Sequence, residues 1–283
     1  MWVIFSLLAG FFSALTSVLS SFASKKVDSL ISTLLRVSLI NIILLTILIS
    51  LGLMSDIYNI DKKTFIFLIL SGISTSLLWI YYFKALEEGS VNKVSPVDKL
   101  SIVLTLILSN IFLKEEITII KAISMLLIVT GSLLTIKKDD KNAKSNKWLL
   151  YAILTGIFTS TTTILGKIGI KDIDPNIALF VRTIVAFIVL LIINIIKKNL
   201  KSIKKIDKKD FICILLTGVT TCISWICYYK ALKDGNAADV FAIEKSSLLF
   251  AVLLSTIFLK DKLYKKTIIG LLIIMELFIR NCA

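Results

Sequence analysis

Trp79-Ile-Tyr-Tyr-Phe-Lys-Ala-Leu-Glu-Glu-Gly89 returns 146 residues later as Trp225-Ile-Cys-Tyr-Tyr-Lys-Ala-Leu-Lys-Asp-Gly235. The same offset carries Trp2 onto Trp148, Gly10 onto Gly156, Arg36 onto Arg182 and Lys99 onto Lys245 without a gap. Residues 1–137 therefore form a first copy, 138–147 a linker and 148–283 a second copy. Each copy holds five apolar runs. Copies with an odd number of membrane crossings, joined head to tail, must lie upside down relative to each other.

The chain is 57% hydrophobic, has two prolines and a mean hydropathy of +0.90, far from the roughly 45–50% apolar content of soluble domains. Ten runs of about 20 residues match the length that spans a bilayer. They are expected at 2–22, 30–52, 64–86, 94–113, 117–136, 148–169, 176–196, 210–232, 240–259 and 264–281. The expected fold class is an all-α integral membrane protein of ten transmembrane helices arranged as two inverted five-helix repeats. The first run is read as a span and not as a signal peptide, since no basic region precedes Trp2 and Ser-Phe-Ala-Ser-Lys-Lys is a poor cleavage site.

The net charge of +14 does not indicate nucleic acid, because the lysines fill short gaps between spans and no nucleic-acid-binding module surrounds them. Cys213, Cys222, Cys227 and Cys282 lie mostly inside apolar runs, so they read as small buried side chains. The absence of histidine removes His-based nucleophile activation, His proton relays and most zinc sites. Neither metal nor cofactor is expected. Loops 1–2, 3–4, 5–6, 7–8 and 9–10 share one face, with five lysines in 137–147 and seven in 197–209. The positive-inside rule places that face in the cytoplasm and both termini outside, although the bias nearly vanishes within the first copy.

Ionisable groups at membrane depth cost a few kcal/mol or more unless paired or hydrated, so those inside the spans carry functional information. The first copy has Arg36, Lys84, Asp98 and Lys99, the second Arg182, Lys230, Glu244 and Lys245. Lys84 and Lys230 also read as snorkelling side chains, and Arg36 and Arg182 as helix-end anchors. Asp98 and Glu244, at equivalent inverted positions, read as halves of salt-bridged gates. Two charge clusters at opposite faces suit a device in which one closes while the other opens. Trp79 and Trp225 lie about 7.5 Å deeper than Lys84 and Lys230 at 1.5 Å per residue, with Tyr82 and Tyr228 on roughly the same helix face. These four suit a cavity wall, the alternative being an interfacial aromatic belt. The hydroxyls from Ser13 to Ser17 and from Thr159 to Thr163 suit a polar path or close helix packing.

The two inverted five-span copies, the Trp-x-x-Tyr-x-Lys-Ala-Leu-x-x-Gly run, the Asp-Lys or Glu-Lys pair opening span four and the Ile-Phe-Leu-Lys-Glu closing it resemble the EamA-type members of the drug/metabolite transporter superfamily. The resemblance covers nearly the whole chain, and each copy is similar to single-copy relatives that pair. It implies a cavity bounded by spans one to four and six to nine, with spans five and ten outside. It also implies a habit of cytoplasmic termini, opposed to the lysine tally. The expected function is a secondary transporter, an exporter by preference, moving a metabolite, amino-acid-like compound or drug by alternating access across a bacterial or archaeal cell membrane. Asp98, Lys99, Glu244, Lys245, Arg36 and Arg182 are the expected gate or coupling residues. Expected partners are the organic solute, the bilayer and a proton or other coupling ion, with the monomer sufficient. The surplus of matched cations favours a carboxylate- or phosphate-bearing solute. No P-loop is present, so direct ATP drive is not expected. The alternatives are an integral-membrane enzyme, narrowed by the lack of histidine, or a non-transporting membrane scaffold.

Overall fold

The computed structural model describes residues 1–22, 27–89, 94, 97, 98, 100–134, 147–245, 250, 253, 254 and 256. Among them are nine α-helices and no strand. The first copy contributes α1 (Trp2–Ser21), α2 (Ser29–Ser50), α3 (Lys62–Glu88), α4 (Ser101–Leu113) and α5 (Ile119–Leu134). The second contributes α6 (Lys147–Ile170), α7 (Pro175–Ile196), α8 (Lys208–Asp234) and α9 (Ala237–Lys245). Helices α1, α2, α3, α6, α7 and α8 are long and apolar enough to cross a membrane. The fourth expected span is helical at Val94, Val97 and Asp98 as well as in α4, and the ninth continues the helical state at Phe250, Leu253, Leu254 and Thr256. The tenth, 264–281, lies outside the described residues.

Large apolar side chains such as Ile42, Ile49, Ile66, Leu70, Ile188, Ile192, Ile212 and Leu216 are exposed on the bundle surface. In water such faces would be a liability; against lipid tails they are solvated. Helix starts repeat with the copies. Asp28 accepts hydrogen bonds from the Leu30 and Ile31 amides, and its counterpart Asp174 accepts one from Asn176, each satisfying orphan donors at the head of the second helix.

Packing is reciprocal. The third helix of each copy lies along the first helix of the other, α3 on α6 and α8 on α1, while α2 meets α7. Matched threonine clusters tie these pairs: Thr16 and Thr220 share a hydrogen bond of 2.7 Å, and Thr75 and Thr162 one of 2.8 Å. Matched glycines allow the close approach. A Cβ on Gly72 would stand 2.7 Å from the Arg182 carbonyl oxygen and 2.7 Å from the Val185 Cβ; one on Gly218 would meet Leu39 Cδ2 at 2.8 Å. Gly89 and Gly235, ending α3 and α8, likewise abut Trp148 and Trp2. Helix α5 packs on α4, and its Met125 joins Ala238 and Phe241 of α9.

Gly72→Ala is expected to push α3 off α7, because the obstruction is backbone and cannot rotate away. Overpacking of this kind costs about 1–3 kcal/mol. Loss of monodispersity on heating in detergent, earlier than in the unsubstituted protein, is the measurement. An unchanged heating profile would show that the helix pair has slack.

Candidate functional site

Between the copies lies a cavity of about 430 Å³, lined from both sides. That volume is in the range of about 300–1,000 Å³ typical of small-molecule sites. From the first copy come Trp79, Tyr82, Thr75 and Asp98, from the second Arg182, Trp225, Tyr228, Glu244 and Lys245. Trp79 and Trp225 are matched residues and stack on each other, centroids 5.8 Å apart and planes 11° from parallel. Both rings stand at the repeat interface on the cavity lining. The Tyr228 hydroxyl donates to Thr163 Oγ1 at 3.3 Å.

Arg182 is 7% exposed. Its Nε donates to Thr75 Oγ1 at 2.9 Å, and its guanidinium lies over the Trp225 and Tyr229 rings at 5.2 and 5.3 Å. The planar fork and weak hydration of guanidinium suit such a stacked position better than a lysine would. Thr75 belongs to a hydroxyl chain in which Ser71 donates to the Thr162 carbonyl at 3.0 Å and Thr162 to the Ser71 carbonyl at 2.9 Å. Sequence reading missed Ser71 and Thr75. Their only signal was an excess of hydroxyls in α3, which small-residue helix packing explains equally well.

The expected charges divide. Asp98 and Glu244 both line the cavity, as does Lys245, whose Nζ stands 3.4 Å from Glu244 Oε2. That contact joins sequence neighbours on one helix and does not bridge two elements. Lys245 also sits over the Phe241 ring at 5.0 Å. Lys99 lies outside the described residues. Lys84 is exposed, near the Tyr81 and Tyr151 rings at 5.6 and 5.8 Å, and Lys230 sits over Phe5 at 5.6 Å. Neither lysine lines the cavity, where the charges among the described residues are Arg182 and Lys245 with Asp98 and Glu244. Arg36 occupies a separate pocket of about 190 Å³ that shares Trp79, Tyr82 and Trp225 with the cavity.

Toward the terminal face three sets of contacts tie the bundle together; of their side chains Glu115 follows the repeated Ile-Phe-Leu-Lys and matches Asp261 in the sequence, whereas Lys121, Asp239 and Lys167 have no like-charged counterpart. Glu115 accepts from the Ala237 and Ala238 amides at 2.7 and 3.3 Å, capping α9, and Lys121 pairs with Asp239 at 2.7 Å. Lys167 Nζ donates to the carbonyls of Leu232, Lys233 and Gly235 at 2.6, 3.1 and 2.8 Å, satisfying the orphan acceptors that end α8. Behind this network Ile164, Ala231, Leu232, Ala237 and Val240 form a dry cluster beside the cavity. Among the described residues no group of three His, Cys, Asp or Glu stands close enough to hold a metal ion.

An all-helical bundle of two inverted repeats around a solute-sized cavity defines a multi-pass membrane transporter fold. Residues 1–137 and 146–275 each match the EamA-like transporter family, and the chain belongs to that family, part of the drug/metabolite transporter superfamily. An uncharacterized transporter in the cobO 3' region of Sinorhizobium sp. is 34% identical over 133 residues, 47% of this chain and 94% of that protein. That relative is therefore about as long as one copy. The uncharacterized transporter YxxF of Bacillus subtilis is 25% identical over 184 residues, 64% of this chain and 58% of its own length. A solved crystal structure shares the fold with a TM-score of 0.76 over 98% of this chain and 94% of its own, at 12% identity.

Proposed function

We propose that this transporter moves a small organic solute by alternating access, the two inverted copies rocking about the Trp79–Trp225 stack, and that its physiological direction is export across a bacterial or archaeal cell membrane. The observation that carries this reading is that matched residues of both copies face one cavity while contacts of Glu115, Lys121, Lys167 and Asp239 cross the bundle on the terminal side. Asp98 and Glu244 act as gate or coupling carboxylates, with a proton or other ion as the driving partner. Arg182 and Lys245 anchor the solute. Trp79, Trp225, Tyr82 and Tyr228 supply an apolar wall with a few polar atoms, as a site that must bind and release requires. With Lys84 and Lys230 against rings outside it, the described cavity has two charges of each sign, which favours an amino-acid-like zwitterion over the net anion expected from the sequence. The membrane-enzyme alternative has no comparable support, since none of these groups pairs a nucleophile with a base.

Efflux from sealed vesicles loaded with a panel of zwitterions, anions and lipophilic cations tests the proposal. Saturable, protein-dependent flux of zwitterions is the expected result. Flux of lipophilic cations alone would replace the solute class with drugs, and no flux of any solute would overturn transport of this kind.

Orientation follows from the lysine tally. Lys204, exposed in the 3₁₀ turns of Asn199–Lys205, is on the lysine-rich face. Lys204→Cys, in a background without native cysteines, is expected to react with an impermeant thiol reagent only after the membrane is breached. Labelling of intact cells would reverse the assignment and place the termini inside.

A further inference from the structure

The matched arginines are treated differently. Arg182 has a hydroxyl acceptor and two rings. Arg36 Nε is buried, yet no described residue accepts a hydrogen bond from it and no described carboxylate pairs with it. Thr75 and its counterpart Thr221 make the matching donation to the Ser71 and Thr217 carbonyls at 2.8 and 2.6 Å, but among the described residues only Thr75 also accepts from an arginine. The space differs too. In the second copy Leu179 is fully buried in a packed cluster with Tyr229, whereas the matching positions in the first copy are Thr33 and Phe83, on the wall of the 190 Å³ pocket.

A guanidinium in a membrane bundle without a counter-charge is costly unless something anionic visits it. The pocket offers what such a visitor needs: a fork of donors from Arg36 and indole walls from Trp79 and Trp225, while the Thr33 and Thr221 hydroxyls on its wall donate to the Ser29 and Thr217 carbonyls at 2.7 and 2.6 Å. Its volume of about 190 Å³ has room for a small oxyanion together with waters. We infer that the Arg36 pocket is a binding site for a small oxyanion, set behind the tryptophan pair and separate from the main cavity. The oxyanion is a carboxylate, either that of the transported solute (a source that rests on the zwitterion reading) or of a free acid, or an inorganic oxyanion such as phosphate.

Trp79 and Trp225 line this pocket, so intrinsic tryptophan fluorescence reports its occupancy. The full chain in nanodiscs of zwitterionic lipid is titrated with sodium acetate, glycine or sodium phosphate at constant ionic strength, which holds screening fixed. A saturable change is expected in the unsubstituted protein. Arg36→Gln should raise the midpoint tenfold or more, and Lys84→Ala, which removes a positive charge at the bundle surface, less than twofold. Arg36→Lys keeps the charge and loses the fork, so an intermediate shift is expected; it decides the matter if Arg36→Gln does not fold. Saturation by acetate and glycine assigns the site to carboxylates; saturation by phosphate alone assigns it to an inorganic oxyanion. No saturable change, an unmoved midpoint in the Arg36 variants, or an equal shift in Lys84→Ala would overturn the site. Vesicle flux is read separately. Intact flux without anion titration removes this site and leaves the transport reading, and anion titration without flux does the reverse.

Discussion

Asp98→Asn and Glu244→Gln are each expected to slow transport about 30- to 150-fold while leaving the protein in the membrane. Each carboxylate faces a cavity in which Arg182 and Lys245 are the described cations. Neutralising one leaves a positive charge uncompensated at membrane depth, a loss of about 2–3 kcal/mol for a partly hydrated pair, and each 1.36 kcal/mol is tenfold in rate. The two effects should differ in kind, because Asp98 enters from the lysine-rich side and Glu244 from the terminal side. One variant should alter the dependence on solute concentration at the inner face and the other at the outer face. Flux in vesicles of both orientations measures this. Unsubstituted rates in both variants would remove the carboxylates from gating and coupling.

Glu115→Ala is expected to loosen the terminal face and favour its opening. The substitution strands the Ala237 and Ala238 amides at the head of α9 and removes a negative group from the positive end of that helix. An unmade hydrogen bond to a buried donor costs about 1–3 kcal/mol, so the closed state should lose roughly 5- to 150-fold in relative population. Leu232→Cys supplies the reporter, since Leu232 is fully buried between this network and the cavity. With an impermeant thiol reagent presented from the terminal side only, its labelling rate should rise at least fivefold in Glu115→Ala. Adding Lys121→Ala, which removes the pair with Asp239, should raise it further. Equal labelling with and without Glu115 would show that closure is held elsewhere.

Much of this protein is written along the chain. The offset of 146 residues predicts that Trp79 and Trp225, Gly72 and Gly218, and Asp28 and Asp174 occupy equivalent places, and the structure shows matched stacking, matched close approaches and matched helix caps. Apolar runs of bilayer length dictate helices because a backbone in lipid must satisfy its own hydrogen bonds. An odd number of them dictates inversion. These are local or periodic properties, so one dimension suffices to read them.

What the tertiary structure alone decided is which of two matched groups does what. Lys84 and Lys230 sit in the same motif as the tryptophans, yet they lie against rings away from the cavity, because a helix turns 100° per residue and five residues do not return a side chain to the same face. Arg36 and Arg182 are the same residue at the same repeat position, but Arg182 meets Thr75 and lines the main cavity, whereas Arg36 borders the smaller pocket. Glu115 with the head of α9, Lys121 with Asp239 and Lys167 with the end of α8 join residues up to 123 positions apart, and the repeat, which marks Glu115 through Asp261, does not announce any of these pairings. Pairing across the bundle depends on how two copies pack, and one packing arrangement gives identical sequence positions different neighbours.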